Sequence, residues 1–515
     1  MSHPEKQKPE LMKKMARVES GILRSGWRTL IILSSLGLIV MFDETMILPA
    51  IPDFIRDFNI SYSTSSWLLS AYIIAAAVMT PIGGKLSDIY GKKKILLIIM
   101  AVYASGIFAG RFATNIEFML AARVAQGVGV AMFPIAFGII REVLPEKRLA
   151  IGQTIFSSTF SGGAVIGLIG GAAIIQNFGW QTTFLTILPA AIALWLIIAK
   201  FVRVENPTSI ENGIGNDNGN VSNFRTIDIK GTLSLAATII TFLVGITFLE
   251  SSSDGAVYQV IGLFVASGVS LAAFIVIERK VHLPLLDFKL MTSKSFLAPT
   301  IILMLALMSI FMVYQTIPVM VRSPSPFGFG GNALAVASVQ LPFMIVLLIG
   351  TITSGFILNR VKNTRLMLFG TSISTIGFIV VLLFHSSENM VSIGLTILAA
   401  GLSLSITGGF NVILISVPMQ VTGIAMGMTL LLNLVGMSVG PALSGVFQET
   451  YKGTAPGVPG LFPTDHAYNM IFTTAAIVSL ASVAIALFMS RVRINGTATA
   501  TITNKQRELN GDHRR

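Results

Sequence analysis

Runs of about twenty apolar residues recur along almost the whole chain, each long enough to cross a hydrocarbon core of roughly 30 Å as a helix. They fall at about 29–52, 64–84, 95–113, 118–140, 151–175, 181–202, 231–249, 257–277, 295–320, 333–358, 366–384, 390–416, 420–447 and 468–489. That makes roughly fourteen spans. Backbone in lipid must satisfy its own hydrogen bonds, which leaves helices and closed barrels as the spanning options. The ten-residue alternating segments of a barrel are absent. The expected class is an all-α polytopic membrane protein. Its charged fraction of 12% agrees, since a soluble domain carries about 25%.

A net charge of +12 invites a nucleic-acid partner, but the placement of the charge argues against one. With the N-terminus in the cytoplasm, about 31 of the 36 Lys and Arg fall in cytoplasmic segments and about 4 outside, leaving Arg123 within a span. That is the positive-inside signature, and it puts both termini in the cytoplasm. Lys13, Lys14, Arg17, Arg24 and Arg28 precede the first apolar run as they would in a secretory signal. The run is too long for a signal's apolar core and contains carboxylates, so it is read as a retained span. The chain has no cysteine, hence no disulfide and no thiolate metal site. It lacks G-x-x-x-x-G-K-[ST] and H-E-x-x-H, and His385 and His466 stand in expected outer loops. No cofactor, no metal and no enzymatic function is expected. A membrane enzyme would need acids and histidines clustered at one face.

The spans group as six, two and six. Residues 1–26 form a polar, basic cytoplasmic tail, expected to be mobile, and 27–204 a first six-helix bundle. Residues 205–230, within the Asn- and Gly-rich "VENPTSIENGIGNDNGNVSNFRTIDIKG", form a cytoplasmic linker. Residues 231–294 hold two inserted helices and a loop, 295–490 a second six-helix bundle, and 491–515 a low-complexity tail. Internal echoes support two related halves. "GGKLSDIYGKKK" between spans two and three parallels "SGFILNRVKNTR" between spans ten and eleven, and "SGGAVIGLIGG" in span five parallels "VGMSVGPALSG" in span thirteen.

Several short patterns carry chemistry. In "GGKLSDIYGKKK", Gly84 and Gly91 permit a tight turn and close helix approach, Asp88 can accept from helix N-terminal amides, and Lys92 helps hold the loop in the cytoplasm. "RVAQGVGVA" sets Arg123 and Gln126 inside span four. A guanidinium there costs about 2.5–3.5 kcal/mol on insertion scales and normally faces protein; snorkelling to the outer interface is the bland alternative. "SGGAVIGLIGG" offers Gly162, Gly167, Gly170 and Gly171, suited equally to simple close packing. "MFDETMILPAIP" places Asp43 and Glu44 side by side within the first span. Helix neighbours point about 100° apart, so the two carboxylates cannot share one direction.

These patterns resemble those of the major facilitator superfamily. "GGKLSDIYGKKK" is similar to its cytoplasmic-loop pattern, with Ile89 where an Arg is usual. "RVAQG" is similar to its fourth-span pattern. "SGGAVIGLIGG" is similar to its antiporter pattern, with Ile166 and Gly167 replacing Gly and Pro. "FDETMILPAIP" resembles the first-span pattern of the fourteen-span drug:proton antiporter family at Asp43, Thr45, Ala50 and Pro52. The resemblance implies two six-helix bundles plus two inserted transmembrane helices, rocking about a midplane site. It implies a proton-coupled antiporter in the plasma membrane that exports small amphipathic or drug-like compounds, with a small-molecule substrate, protons and membrane lipid as partners and a monomeric chain.

Within that scheme Asp43 is expected to face the cavity, paired or water-linked to Arg123, with Glu44 beside it; which of the two carries the proton stays open. Burial disfavours a carboxylate's charged form and a neighbouring guanidinium favours it, so alternating access could switch the balance. Gly84, Asp88, Gly91 and Lys92 would form a cytoplasmic gate. Thr45, Gln126, Gln315, Gln340, Asn411 and Asn433 are the polar candidates for the cavity. The apolar centres of the last six spans hold no Asp, Glu, Lys or Arg, which speaks against polyvalent cations. The alternative is a carrier for a dedicated metabolite: an amino acid, a siderophore or an organic anion.

Overall fold

The apolar runs close their own backbone hydrogen bonds as helices, and their ends lie where the sequence supplies caps and turns. The computed structural model describes residues 7–202, 229–248, 254–281, 291–357, 361–417 and 422–491. The first half comprises α1 (Gln7–Met46), a short α2 (Ile51–Asp57), α3 (Tyr62–Tyr90), α4 (Lys92–Arg111), α5 (Ile116–Gly127), α6 (Met132–Val143), α7 (Glu146–Phe178) and α8 (Trp180–Phe201). Then follow α9 (Ile229–Phe248) and α10 (Asp254–Glu278). The second half comprises α11 (Lys294–Arg322), α12 (Ala333–Ile357), α13 (Asn363–Phe384), α14 (Glu388–Ser416), α15 (Thr422–Thr450) and α16 (Asp465–Arg491). Ser61 caps α3 by accepting from the Thr64 amide, and Asn115 caps α5 by accepting from the Phe118 amide. Gly91, at φ 96°, makes the turn from α3 into α4 in a conformation that L side chains rarely adopt.

Among the described residues, 13 helical segments are long and apolar enough to cross a membrane, with α5 and α6 forming one of them across a 3₁₀ turn at Val128–Ala131. The expected fourteenth is α9, whose apolar stretch Lys230–Ile246 is shorter. The protein is an almost entirely helical multi-pass membrane protein. Two features go beyond the sequence-based expectation. Within the segment 1–26, α1 is helical from Gln7 and continues into the first span without a break. Lys452–Thr454 and Leu461–Pro463 pair antiparallel between α15 and α16, a hairpin too short to register as alternating hydrophobicity. Most of the expected linker 205–230 lies outside the described residues, as do 1–6 and 492–515 of the tails.

The helix pairings of the first half recur in the second. α1 packs on α7 as α11 packs on α15; α4 packs on α5 and α8 as α13 packs on α14 and α16; α3 meets α5 as α12 meets α14. The halves meet through α3 against α15 and α7 against α12. α9 rests on α10 and touches α3 and α15 from outside this arrangement. α3 records the asymmetry of the seam. From Tyr62 to Ala77 it is mostly buried, whereas from Val78 onward most of its residues keep some exposure. The bundle is closed at the end that carries α2 and the hairpin. It is looser at the end that carries Lys92, Lys93 and Lys94.

Candidate functional site

Asp43 and Glu44 occupy the middle of the Gly26–Asp57 span, 17 residues from its start and 14 from its end. The stripe Leu33, Leu36, Val40, Asp43 and Ile47 faces inward with helical spacing, which carries Asp43 into the interior of the first half. Its side chain is 0% exposed. There it shares its surroundings with Arg123 on α5 and with the Tyr103 hydroxyl on α4. Glu44 is rotated about 100° away and only half-buried. It lies within electrostatic range of Tyr72 on α3 and, across the seam, of Tyr314 on α11. Both carboxylates lie within electrostatic range of Arg123. Glu44 faces the space between the halves and Asp43 is enclosed beside Arg123, because it is the Asp43 stripe that packs inside the bundle.

Arg123 does not snorkel. It is fully buried, and its Nε donates to the Leu68 carbonyl (3.0 Å) while Nη1 donates to Gln126 Oε1 (2.6 Å). Gln126 is held in turn by donating from Nε2 to the Gly106 carbonyl (3.1 Å). The guanidinium carbon lies 4.5 Å from the centroid of the Tyr72 ring, a cation–π contact of about 2 kcal/mol when desolvated. The glycine of "RVAQG" is what lets α5 cross α3 so closely, because a Cβ on Gly127 would come within 2.2 Å of the Tyr72 carbonyl oxygen. Nη2 of Arg123 and the Tyr72 hydroxyl have no hydrogen-bond partner among the described residues, and the Tyr103 hydroxyl is the group placed to donate to Asp43. The centre holds a carboxylate and a cation that are neighbours without a hydrogen bond.

The remaining candidates separate by place. Gly167 and Gly171 press α7 onto α1: a Cβ on Gly167 would lie 2.3 Å from Thr45 Oγ1, and one on Gly171 would lie 2.5 Å from the Met46 Cα. Gly170 meets the Phe42 ring, and Thr45 Oγ1 donates to the Ala164 carbonyl (2.9 Å). Gly162 looks into open space, and the residue that completes the packing face is Gly163, against the Leu38 carbonyl. Gln126 and Thr45 are thus internal to the first half. Gln315 lies in the seam, donating from Nε2 to Ser65 Oγ (2.9 Å). Gln340 and Asn433 are buried, with both amide atoms of Gln340 and the Oδ1 of Asn433 unpartnered among the described residues. Asn411 is half-buried and donates to the Thr407 carbonyl (2.9 Å). Asp88 is 70% exposed at its side chain, 3.7 Å from Lys92, which also pairs with Glu142. Gly84 has nothing within 4 Å of a built Cβ, so the close helix approach expected there is not made in this state.

Sequence reasoning missed Tyr72, Tyr103 and Tyr314, because aromatic residues in spans are mostly bulk and only packing brings these three to the carboxylates. Tyr314 sits on Phe311 and Phe343, with ring centroids 5.1 and 5.7 Å away, and gives the second half's side of the space an aromatic wall. Asp53 and Arg322 were missed as well. They form an ion pair across the seam, with Arg322 Nη1 and Nη2 donating to the two carboxylate oxygens at 2.5 and 2.7 Å.

The chain resembles known carriers in both sequence and shape. It is 26% identical over 468 residues to the multidrug efflux pump LfrA of Mycolicibacterium smegmatis, covering 88% of this chain and 87% of that one. It is 26% identical over 347 residues to multidrug resistance protein 3 of Bacillus subtilis, a match spanning 67% of this chain and 63% of the relative. A bacterial homologue of the human lysosomal transporter Spinster, solved inward-facing and unoccupied, superposes with a TM-score of 0.64 at 15% identity, covering 92% of this chain and 98% of that one. The family model described as Major Facilitator Superfamily matches residues 33–441, from the first span into α15, and the chain belongs to that superfamily of transporters.

Proposed function

We propose that this transporter is a proton-coupled antiporter that exports small amphipathic or drug-like compounds by alternating access. Its partners are then the exported compound and protons, its solvent is the plasma-membrane lipid, and one chain is a complete unit because its two halves enclose the site. The lysine-rich end lies in the cytoplasm, by the positive-inside bias. The observation that carries the proposal is the pair of carboxylates in the middle of the first span, both within electrostatic range of Arg123. Asp43 is enclosed with Arg123, out of a substrate's reach. Glu44 faces the seam opposite the aromatic wall of Tyr314, Phe311 and Phe343. In this scheme Asp43 carries the proton and Glu44 senses the substrate. One is bound to feel the other, since adjacent carboxylates in a medium of low dielectric interact strongly. The relatives named as multidrug pumps support the choice of cargo.

The test is dye efflux from proteoliposomes under an imposed pH gradient, with ethidium and a neutral amphipathic dye. Wild type should export both, and Asp43→Asn should abolish gradient-driven export while dye binding persists. Glu44→Gln should weaken ethidium export more than export of the neutral dye. Full gradient-driven export by the Asp43→Asn variant would remove that residue from the proton path. Failure of wild type to move either dye, with a metabolite moved instead, would replace the drug-export assignment by a dedicated carrier on the same fold.

A further inference from the structure

The seam is tied at the α2 end by polar contacts graded in strength. Ser70 Oγ donates to the Ser438 carbonyl (2.9 Å), Gln315 to Ser65, the Ala333 amide to Gln176 Oε1 (3.2 Å) and the Tyr62 amide to Glu449 Oε2 (2.9 Å). Each is a single hydrogen bond. Asp53–Arg322 is of another order, a two-pronged pairing between a planar guanidinium and a carboxylate, with the two side chains 19% and 9% exposed for Arg322 and Asp53. Arg322 Nη1 also donates to the Pro49 carbonyl (3.1 Å), so one residue at the tip of α11 grips both the carboxylate and the backbone of the first half.

Asp53 is a fixed post rather than a flexible one. Its helix α2 is bolted to the first half by Phe54, whose ring lies 4.7 Å from that of Trp180, and by Asp57 Oδ2, which accepts from Trp180 Nε1 (2.9 Å). Any separation of the halves at this end must therefore part the pair and cannot be absorbed by α2. At the other end the walls stand apart: built Cβ atoms on Gly84 of α3, Gly355 of α12 and Gly427 of α15 meet nothing within 4 Å. A buried ion pair suits a reversible closure. Its attraction is offset by desolvation while it is shut, and water entering the gap rehydrates both charges when it opens. An apolar contact of the same area would gain nothing from that water.

We propose that Asp53–Arg322 is the latch that holds the α2 end of the carrier shut, and that it parts whenever the central space opens to that side. The latch rests on the alternating-access scheme above. The complete absence of cysteine makes a direct test available. Ser63, in the first turn of α3, is fully buried, its Oγ has no partner among the described residues, and its Cα lies 3.0 Å from a Cβ built on Gly445 of α15. Ser63→Cys in the full chain therefore places a single thiol inside the seal. Its reaction with a bulky hydrophilic maleimide is followed in lipid nanodiscs, where both faces are accessible.

The thiol should react slowly in the Ser63→Cys protein. Asp53→Asn and Arg322→Gln should each accelerate it about tenfold or more. The charge-reversed pair Asp53→Arg with Arg322→Asp, combined with Arg56→Gln because Arg56 also pairs with Asp53 (3.2 Å), should restore protection. Arg322→Lys, which keeps the charge but not the fork, should give an intermediate rate. Unchanged rates in Asp53→Asn and Arg322→Lys would overturn the latch. Where the neutral single variants lose the folded elution profile, Arg322→Lys decides, and a rate equal to that of Ser63→Cys alone would overturn the latch. Labelling is read without substrate or proton gradient, so the latch can fail while dye export stands, and dye export can fail while the latch stands.

Discussion

Arg123 owes its position to Gln126 as much as to its own burial. The guanidinium has five donors in a fixed fork, and the fork is oriented by the Leu68 carbonyl on one side and by Gln126 on the other, with Gln126 itself anchored to Gly106. Removing Gln126 strands Nη1 in a dry interior, and an orphaned buried polar group costs about 1–3 kcal/mol. Gln126→Ala should thus lower the midpoint of thermal unfolding in detergent by an amount corresponding to about 1–3 kcal/mol. Gln126→Glu carries a charge opposite to that of Arg123 but sets an acceptor against the Gly106 carbonyl that Nε2 now donates to, so it should lose part of the stability and slow gradient-driven export by holding the guanidinium too firmly. A Gln126→Ala protein that melts with wild type would show that the Leu68 contact alone places the guanidinium. The sequence points to Arg123 and Asp43 because charges inside an apolar run are costly and therefore conspicuous. It is silent on Tyr72 and Tyr103, whose hydroxyls reach this centre only through the crossing of α3, α4 and α5.

At the scale of elements, the α1–α7 contact sets the height and rotation of the two carboxylates. Thr45 and Phe42, immediately beside Asp43 and Glu44, are the residues that Gly167 admits at close range. Adding one methyl there forces the helices apart or twists α1, and overpacking of this kind costs about 1–3 kcal/mol. Gly167→Ala should therefore destabilise the protein and impair export together. Gly162→Ala, which meets nothing within 4 Å, should be neutral or stabilise by about 0.5–1 kcal/mol through helix propensity. Melting curves of the two variants side by side decide the point, and equal effects would mean that the close approach does not constrain α1. The span pattern made the helices legible, because each apolar run must close its own hydrogen bonds wherever it goes. The glycine pattern was legible as a packing device but not in register: period 3.6 selects Gly163, Gly167, Gly170 and Gly171 as one face and leaves Gly162 outside it. The rotation of Asp43 and Glu44 was not legible for the same reason, since rotation about a helix axis is fixed by the neighbours it packs on. The Asp53–Arg322 pair was hidden altogether, its members standing 269 positions apart at the ends of separate helices.

Considered as a whole molecule, the protein is more polarised than a count of its charges suggests. Four basic residues stand at the α2 end: Arg56, Arg111, Arg322 and Lys452. Arg322 is committed to Asp53, Arg56 to Asp53 and Asp57, and Lys452 to Glu449, which leaves Arg111 with no carboxylate partner among the described residues. The other end carries Lys85, Lys92, Lys93, Lys94, Arg141, Arg148, Lys200, Lys362 and Arg365 around α3, α4, α6, α7, α8 and α13. Positive charge near short loops resists translocation, and the bias is set by the count of Lys and Arg at each end rather than by net charge. The lysine-rich end should therefore be cytoplasmic. In the cysteine-free background, Val458→Cys in the exposed hairpin loop should react with an impermeant maleimide in intact cells, whereas Lys362→Cys should react only after permeabilisation. The opposite pattern would do more than invert a topology diagram. The loosely packed end would then load from outside, the sealed α2 end would face the cytoplasm, and the direction proposed for transport would have to be reversed along with it.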